Sequence, residues 1–457
     1  MITVLPLDTT GLGDRSYLAH DGEVAFVVDP QRDIDRVLDL ARAEGVRITH
    51  VAETHIHNDY VTGGFALAEA TGAVYLLNAD DPVSFARTGV RDDDVIDVGA
   101  MTVRVLHTPG HTHTHLSYAL FEGDEPVAVF TGGSLLYGST GRPDLLGPDH
   151  TDTLVRAQWR SAQRLANELP EATAVYPTHG FGSFCSASQS EATSSTIGQE
   201  KLGNPALTRD EQSYVRELLA GLDAYPAYYA HMDPANSAGP SAPDLSPPAI
   251  ADPDELRARI EAGEWVVDLR DGTAFSAGHL AGSLSFPLDG PFVTYLGWLV
   301  PWGTPITLLG ATAEEVAAAQ RELVRIGIDR PAAMATGGPE QWSGTAPLAS
   351  LPRATYAELA EALNRPAPPA VLDVRRNQER AEGHVPGSVH IPIHEVLDRL
   401  TEVPAGPVWV HCAGGYRAGV VAALLSARGH DVVTIDDAIE HAQEIGLITP
   451  TKQERVA

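Results

Sequence analysis

Cysteine is scarce in this chain of 457 residues, which contains only Cys185 and Cys412. Two cysteines cannot form the disulfide framework typical of small secreted domains, so we expect a reducing, cytoplasmic location. Basic residues are also few, with 31 Lys and Arg against 61 Asp and Glu and a formal net charge of −30. A surface of this sign repels phosphate backbones and anionic lipid, which argues against nucleic-acid and membrane partners.

Targeting segments and uninterrupted apolar stretches are missing as well. The first twenty residues lack the basic region and apolar stretch of a signal peptide. The longest uncharged run, residues 291–311, could span a bilayer by length, but Pro301 and Pro305 interrupt it. We therefore predict that it forms a loop leading into a buried strand, ITLL.

Two linkers divide the chain. Residues 233–252 are rich in Pro, Ala and Ser without apolar periodicity, and a weaker linker lies near residues 340–353. The 43% apolar content is sufficient for packed cores. We predict three domains, formed by residues 1–235, 247–345 and 353–457.

The two smaller domains are repeats of each other. Residues 266–288 (VVDLRDGTAFSAGHLAGSLSFPL) match residues 371–393 (VLDVRRNQERAEGHVPGSVHIPI) at a constant spacing, with shared Asp-x-Arg, Gly-His and Gly-Ser pairs. In each repeat a helical pattern precedes this segment, and a second strand and helix follow it. Alternating strands and helices predict an α/β fold with a parallel sheet covered on both faces.

Histidines follow the apolar strands of the first domain. His55, His57 and Asp59 stand at alternate positions in THIHND, and His111 and His179 follow later strands. Residues at i and i+2 after a strand can point to one side, so these groups can converge. Neutral imidazole is a common ligand of zinc and iron. Hydrogen-bonded loop histidines are the alternative, but their recurrence at strand ends favours a metal site.

This histidine series resembles the ligand series of the metallo-β-lactamase superfamily over about residues 1–235. More narrowly, THIHNDYVTGG, TPGHT, GRPDLLG and HGFGSFCS resemble the persulfide dioxygenase branch that is fused to rhodanese domains. The resemblance implies an αββα sandwich and one iron(II) held by two histidines and one aspartate, with open positions for oxygen and substrate. His55 and His111 match the two histidine positions.

Gly133 departs from that pattern, because the family places the aspartate there, in a Thr-Gly-Asp segment after a strand. Tyr60 stands where many binuclear relatives have a second-site histidine, so we do not expect a binuclear centre. Restoring the carboxylate with Gly133→Asp is expected to raise iron occupancy. Iron(II) is the metal that the resemblance implies and zinc is the alternative, while Gly133 also leaves open a site without metal.

Three outcomes remain for the site. It could use three histidines, take a substitute carboxylate from Asp59 or Asp144, or hold no metal in a catalytically silent domain. The predicted metal ligands are His55, His57 and His111, with Asp59 and His179 as further donors.

Cys185 lies six residues after His179 in a loop rich in Gly and Ser. A small buried thiol is the simpler interpretation. The resembling fusions imply the other one, a thiol near the metal pocket that carries a persulfide. We therefore include Cys185 among the candidate catalytic residues.

The segment PVWVHCAGGYRAGVV contains the sharpest motif, in which a strand ends before Cys412 and a short loop is closed by Arg417. Small residues let the loop direct backbone N–H groups at the sulfur, and Arg417 and the following helix N-terminus favour the thiolate. This thiolate can attack a sulfane sulfur and hold it as a persulfide anion. The predicted substrate-binding residues of the loop are Ala413, Gly414, Gly415 and Tyr416.

The Cys412 loop resembles the active loop of rhodanese sulfurtransferases. Tyrosine and dual-specificity phosphatases share the C-x5-R spacing but usually carry Ser or Thr after the arginine, where this chain has Ala418. In the middle repeat Gly310 and Glu315 align with the cysteine and the arginine, so we predict that this repeat does not transfer sulfur. It is expected to pack between the other domains, or to help build a channel or a dimer contact in a homo-oligomer.

Three hypotheses for function follow. The first is an enzyme of persulfide or thiosulfate metabolism, in which the first domain oxidises a thiol persulfide and Cys412 transfers sulfane sulfur to a thiol. The second is a sulfurtransferase alone, whose first domain docks a sulfur-acceptor protein or biosynthetic enzyme. The third, least favoured, is a metal-dependent thioester hydrolase with regulatory rhodanese domains.

Overall fold

A computed structural model describes residues 2–448. The chain divides into two compact units, Met1–Asp244 with Leu323–Asp329, and Leu245–Glu322 with Arg330–Ala457. Residues 449–457 of the predicted third domain lie outside the described residues.

Within residues 2–448 the first unit contains two six-stranded sheets. The strands of the first sheet, in spatial order, are β1 (Thr3–Thr9), β2 (Asp14–His20), β3 (Val24–Val28), β4 (Arg47–Ala52), β5 (Val74–Asn78) and β6 (Thr88–Val90). Pairing is antiparallel from β1 to β3 and parallel from β3 to β6. The strands of the second sheet, which lie in reverse spatial order, are β7 (Val95–Val98), β8 (Met101–His107), β9 (Leu116–Glu122), β10 (Glu125–Gly132), β11 (Ala174–Pro177) and β12 (Ser195–Thr196).

Apolar side chains on both faces of these sheets determine the layering. Tyr17 and Phe26 pack between the sheets against Tyr118. Their neighbours Leu18 and Val27 face the other way and pack against helices. The helices of this unit are α1 (Asp35–Glu44), α2 (Gly64–Thr71), α3 (Pro148–Glu168), α4 (Ile197–Gly203), α5 (Pro205–Thr208), α6 (Glu211–Gly221) and α7 (Met232–Ala238), with a 3-10 helix at Ala227–His231. This arrangement confirms the predicted αββα sandwich.

The second unit contains two parallel sheets, as the repeat predicted. Their spatial orders are β14-β13-β15-β16 and β17-β21-β20-β18-β19. The strands are β13 (Trp265–Asp268), β14 (Leu284–Ser285), β15 (Ile306–Gly310), β16 (Ala333–Thr336), β17 (Arg353–Ala354), β18 (Ala370–Asp373), β19 (Val389–His390), β20 (Val408–His411) and β21 (Val432–Ile435).

Helices alternate with these strands along the chain. They are α8 (Pro253–Glu261), α9 (Gly272–Ala277), α10 (Phe292–Leu299), α11 (Ala313–Arg325), α12 (Pro339–Ser343), α13 (Tyr356–Leu363), α14 (Asn377–Ala381), α15 (Tyr416–Ser426) and α16 (Ile439–Glu444), with 3-10 helices at Ile393–Glu395 and Leu400–Glu402.

The uncharged run at residues 291–311 differs in part from its prediction. The expected strand is present as β15, but residues 292–299 form helix α10 where we predicted a loop. All eight residues of α10 are buried, so tertiary packing stabilises a helix that Pro291 and Pro301 confine to two turns. No helix among the described residues has the length and apolarity needed to cross a membrane.

The repeated Asp-x-Arg motif forms a buried ion pair at the ends of strands β13 and β18. Asp373 accepts hydrogen bonds from Arg375 at 2.8 Å and Arg380 at 3.0 Å, and Asp268 is bound by Arg270 at 2.6 Å. Burial disfavours the charged form of Asp373, but Arg375 and nearby His411 hold its pKa well below the usual range.

We expect Asp373→Asn to lower the free energy of unfolding by about 3–5 kcal/mol, because Arg375 and Arg380 lose a buried counter-charge. Denaturant unfolding near neutral pH measures this loss. Since the folded-state pKa is depressed, the contribution is present above the unfolded pKa of about 3.9 and is lost as pH falls below it. The matched control, Asp398→Asn at an exposed position, leaves stability unchanged, and an equal loss there would contradict the ion-pair argument.

Candidate functional site

Four buried histidines meet where strands of the two sheets end. His55 and His57 follow β4, His111 follows β8 and His179 follows β11. The ring centroid of His55 lies 4.8 Å from that of His111 and 5.3 Å from that of His179. One nitrogen from each of His55, His111 and His179 lies within 4.8 Å of the others. The structure thus brings together the histidines that the sequence singled out.

Hydrogen bonds at the far side of the rings orient two of these histidines. His179 Nδ1 lies 2.9 Å from Asp14 Oδ1 and 3.2 Å from Asp59 Oδ2, and His179 Nε2 lies 3.3 Å from His55 Nε2. His111 Nδ1 donates to the carbonyl oxygen of Arg142 at 2.8 Å, which leaves the Nε2 lone pair free for another partner. Metal-binding histidines commonly have such a carboxylate or carbonyl behind them.

Protonation differs across the cluster. Burial opposes charge on His179, but the carboxylates of Asp59 and Asp14 raise its pKa to about 10. Burial, reinforced by His179, lowers the pKa of His111 to about 3, and burial with its histidine neighbours lowers that of His55 well below 6.5. His55 and His111 are therefore neutral near pH 7, which is the form that binds a metal.

One ring nitrogen of His57 contacts residues other than the three histidines. Its Nε2 lies 3.0 Å from Tyr60 Oη, 3.2 Å from Glu53 Oε2 and 3.3 Å from Asp29 Oδ1. Burial disfavours its charge, yet Asp29 and Glu53 raise the pKa of His57 to about 9. Nδ1 of His57 has no hydrogen-bond partner among the described residues. His57 belongs to one group of potential ligands with Asp59 and His179 and to another with Asp29 and Glu53.

The donor set fits a divalent metal ion. His57 Nδ1, Asp59 Oδ1 and His111 Nε2 are buried and lack a hydrogen-bond partner within residues 2–448. An unsatisfied buried polar group costs about 1–3 kcal/mol, and a bound cation would remove that cost for several groups at once. Imidazole and carboxylate donors suit iron(II) and zinc alike.

Gly133 has no room for a side chain in this arrangement. A Cβ built there would lie 2.4 Å from Cδ2 and 2.6 Å from Cγ of His111, so the imidazole occupies that space. The backbone N–H of Gly133 donates to His115 Nε2 at 3.0 Å. Asp144, one of the two substitute carboxylates considered above, is bound to the Arg142 guanidinium by two 2.7 Å hydrogen bonds. Asp59 is the one of the two that belongs to the cluster.

Sequence reasoning missed three carboxylates beside the histidines, Asp14, Asp29 and Glu53. Asp29 ends the apolar run of β3 with a φ of 50° and accepts hydrogen bonds from the backbone N–H and hydroxyl of Thr54, each at 2.7 Å. A buried strand that ends in a charged residue is a signal that could have identified Asp29. Asp14 approaches His179 only through the fold, and its local sequence contains no corresponding signal.

Cys185 lies beside the same cluster. The thiol is buried, with Sγ 3.8 Å from Tyr229 Oη. Burial, with the nearby Asp59 and Asp14 carboxylates, raises the pKa of Cys185 well above 9. The thiol therefore stays protonated at neutral pH unless its surroundings change.

The second candidate site is the loop between β20 and α15. Cys412 is buried, and the backbone N–H of Gly415 donates to its Sγ at 3.2 Å. Gly415 has a φ of 90°, and a Cβ there would lie 2.0 Å from Asp436 Oδ1, so the loop requires glycine at this position. The hydroxyl of Tyr356 donates to the Cys412 carbonyl oxygen at 2.6 Å and fixes the base of the loop.

Tyr416 and Arg417 have partners that the motif did not indicate. The Tyr416 hydroxyl donates to the carbonyl oxygen of Pro287 in the middle repeat at 3.2 Å, which leaves its backbone N–H as its contribution to the loop. Arg417 makes two 2.6 Å hydrogen bonds to the Glu379 carboxylate of α14. The cation expected beside Cys412 is thus already paired. Ala413 and Gly414 occupy the loop between the thiol and Gly415.

In the middle repeat, a side chain of the same segment binds the loop that corresponds to the Cys412 loop. At the end of β15 the Glu315 carboxylate accepts a hydrogen bond from the backbone N–H of Ala311 at 2.7 Å. The Glu315 carboxylate therefore binds a backbone N–H group that an anionic substrate could otherwise bind. In addition, Gly310 aligns with the cysteine of the last repeat.

Two family models match this chain. The metallo-beta-lactamase superfamily model matches residues 10–179, and the rhodanese-like domain model matches residues 252–345 and 355–444. A metallo-beta-lactamase structure from Staphylococcus aureus subsp. aureus COL is 29% identical and covers 74% of this chain and 99% of its own, with a TM-score of 0.66. ETHE1 from Myxococcus xanthus is 30% identical over 52% of this chain and 98% of its own, with a TM-score of 0.45.

Curated relatives match about a third of this chain. A hydroxyacylglutathione hydrolase-like protein from Mus musculus is 32% identical over 147 residues, which are 32% of this chain and 50% of that protein. A hydroxyacylglutathione hydrolase from Polaromonas sp. is 33% identical over 160 residues, 34% of this chain and 57% of that protein. The chain thus spans about half the length of these relatives.

Proposed function

Because this chain belongs to the family in which a metallo-β-lactamase superfamily domain precedes two rhodanese-like domains, we propose that it is an enzyme of persulfide or thiosulfate metabolism that carries sulfane sulfur on Cys412. The observation that carries the proposal is the loop around Cys412, where the Gly415 N–H donates to the buried sulfur. A backbone donor at that point stabilises both a thiolate and the persulfide anion that replaces it.

The transfer is a displacement at sulfur without net oxidation. The Cys412 thiolate attacks the outer sulfur of a thiol persulfide or thiosulfate, and a new S–S bond forms as the donor's S–S bond breaks. The donor leaves as a thiolate or as sulfite. A thiol, cyanide or sulfur-acceptor protein then takes the outer sulfur from Cys412 by the same displacement and regenerates the thiolate.

The first domain is proposed to oxidise a thiol persulfide. The reaction RSSH + O₂ + H₂O → RSH + SO₃²⁻ + 2H⁺ balances with one oxygen molecule and one water. His55, His111 and His179 would hold the metal, with His57 Nδ1 and Asp59 as further donors. When bound, iron(II) supplies open positions for oxygen and the substrate sulfur.

Asp14 has the role of fixing the site's geometry, because its hydrogen bond to His179 Nδ1 keeps Nε2 directed at His55. Cys185, beside Asp59, is proposed to carry a persulfide: its sulfur bonds to the outer sulfur of a thiol persulfide, the donor's S–S bond breaks, and the donor leaves as a thiol with the proton that Cys185 gives up.

Thioester hydrolysis is the second candidate activity, favoured by the names of the curated relatives. Hydrolases of this fold usually position the attacking water between two metals bridged by an aspartate. Here Gly133 supplies no carboxylate, and Tyr60 is committed to His57 at 3.0 Å. Hydrolysis of a hydroxyacylglutathione by the purified protein, at a rate exceeding its persulfide oxidation, would favour this alternative.

Protein purified without oxygen is expected to contain close to one iron per chain and to consume oxygen when glutathione persulfide is added. His179→Ala is expected to lower metal content about tenfold or more, because both the proposed donor and its link to Asp14 are lost. Elemental analysis and an oxygen electrode measure the two quantities. The matched control is His113→Ala, an exposed histidine in the segment that contains His111.

The outcomes separate the hypotheses. Metal bound without persulfide-dependent oxygen uptake supports the sulfurtransferase-only alternative. Full metal content in His179→Ala would remove His179 from the ligand set and return the site to the sequence-predicted group of His55, His57 and His111.

A further inference from the structure

The cation of the active loop is neutralised by a neighbouring helix. Arg417, at the start of α15, is held by both oxygens of Glu379 on α14, each at 2.6 Å. Burial opposes the charge on Glu379, but Arg417 lowers its pKa to about 2, so the pair is ionised at neutral pH. A paired arginine has less positive potential to offer a substrate than the C-x5-R motif alone implies.

Two further arginines, Arg375 and Arg376, contact Glu379. Arg376, which precedes α14, lies 3.3 Å from the Glu379 carboxylate through its Nε. Tyr295 of α10 lies close enough to Arg417, Arg376 and Glu379 that each of them acts on its pKa, although burial dominates the rise. Other charged residues line the cavity beside Gly414 and Gly415, and they are Asp271, Asp289, Arg353 and Asp436.

The pair is also accessible to a substrate. The Glu379 side chain retains 24% of its exposure and that of Arg417 retains 11%. Oε2 of Glu379 also accepts hydrogen bonds from the backbone N–H of Arg376 at 3.1 Å and from its Nε at 3.3 Å, whereas Oε1 is contacted by Arg417. A carboxylate oxygen can accept two hydrogen bonds, so Oε1 has a position for a further donor. Glu379 can thus contact a ligand directly while it holds the arginine.

The middle repeat has neither residue of this ion pair. At the positions that correspond to Glu379 and Arg417, the middle repeat has Ala274 and Glu315. The ion pair is therefore a property of the repeat that contains the nucleophile, whereas the Asp-x-Arg pair is common to both. The Glu379–Arg417 contact is therefore not required for the fold that both repeats share.

We propose that Glu379 determines which sulfur donor Cys412 accepts, by disfavouring the thiosulfate dianion and favouring a persulfide whose thiol part carries an ammonium group. The inference rests on the proposed sulfur transfer at Cys412. Thiosulfate brings two negative charges toward a carboxylate and an arginine that is already paired. An amino-acid or peptide persulfide also carries negative charge, at sulfur and at its carboxylates, but it has an ammonium group that can donate to Glu379, which thiosulfate lacks.

Donor competition with Glu379→Gln tests the proposal. The amide keeps the shape but removes the charge, so kcat/KM for thiosulfate is expected to rise about tenfold, while kcat/KM for glutathione persulfide does not rise. Glu379→Asp retains the charge and is expected to keep the wild-type preference. Glu382→Gln is the matched control, because Glu382 is an exposed carboxylate at the end of the same helix.

A second measurement needs no variant. Wild-type protein is exposed for a short time to equal concentrations of thiosulfate or glutathione persulfide, and the added sulfur on Cys412 is measured by mass spectrometry. Faster loading from the persulfide supports the proposal, and equal or faster loading from thiosulfate overturns it. Equal changes for both donors in Glu379→Gln also overturn it, since they indicate a structural role. Absence of sulfur on Cys412 with either donor instead refutes the proposed transfer.

Discussion

Cys412→Ser is expected to abolish the transfer of sulfur from thiosulfate or a thiol persulfide to cyanide, with a loss of about 10³-fold or more. A serine hydroxyl at this position retains the backbone contact but is a far weaker nucleophile than a thiolate at neutral pH. The Gly415 N–H, which now lies 3.2 Å from the sulfur, would remain in place. Thiocyanate formation measures the activity.

The matched control is Cys185→Ser, the other cysteine of the chain. Because Cys185 lies beside the histidine cluster in the first unit, its replacement is expected to leave thiosulfate-to-cyanide transfer unchanged. If the activity survives in Cys412→Ser and disappears in Cys185→Ser, the assignment of the nucleophile is wrong.

Gly133→Asp is expected to destabilise the first domain by about 1–3 kcal/mol and to lower its iron content, because His111 is a proposed ligand. The new Cβ would lie 2.4 Å from Cδ2 of the His111 ring, close to its attachment point, so the imidazole must leave its place. That movement would break the 2.8 Å hydrogen bond from His111 Nδ1 to the Arg142 carbonyl. Thermal unfolding and elemental analysis of protein purified without oxygen measure the two effects.

Gly203→Asp is the matched control, since a Cβ at Gly203 meets no atom within 4 Å and the same charge is added to the same unit. Iron content at or above the wild-type level in Gly133→Asp, with stability retained, would show that His111 can adopt a second position. An increase would also confirm the expectation drawn from the sequence, that the carboxylate restores the site.

The sequence and the structure lead to opposite expectations for the iron content of Gly133→Asp. The Thr-Gly-Gly segment shows that a carboxylate is absent, but not what fills its volume. The occupant is His111, which approaches Gly133 across the sheet and not along the chain. Similarly, the spacing of His55 and His57 predicted convergence, but the engagement of His57 Nε2 with Glu53 and Asp29 depends on how β3 and β4 pair.

Helix α10 illustrates a related limit. Its sequence is apolar on all sides and bounded by prolines, which is compatible with a loop, a strand or a short helix. Burial of all eight residues selected the helix. Strand β15, by contrast, was predictable, because a short apolar run before a loop that contains glycine is typical of a buried strand.

The sequence by itself determined the sandwich and parallel-sheet folds and the loop around Cys412, and the three-domain division stays a prediction. These features depend on apolar periodicity, on an internal repeat and on residues a few positions apart, all of which are visible along the chain. Only the tertiary structure decided the electrostatics of both sites. His179 meets Asp14 across 165 residues and Arg417 meets Glu379 across 38, and such ion pairs form only when folding buries distant charges together.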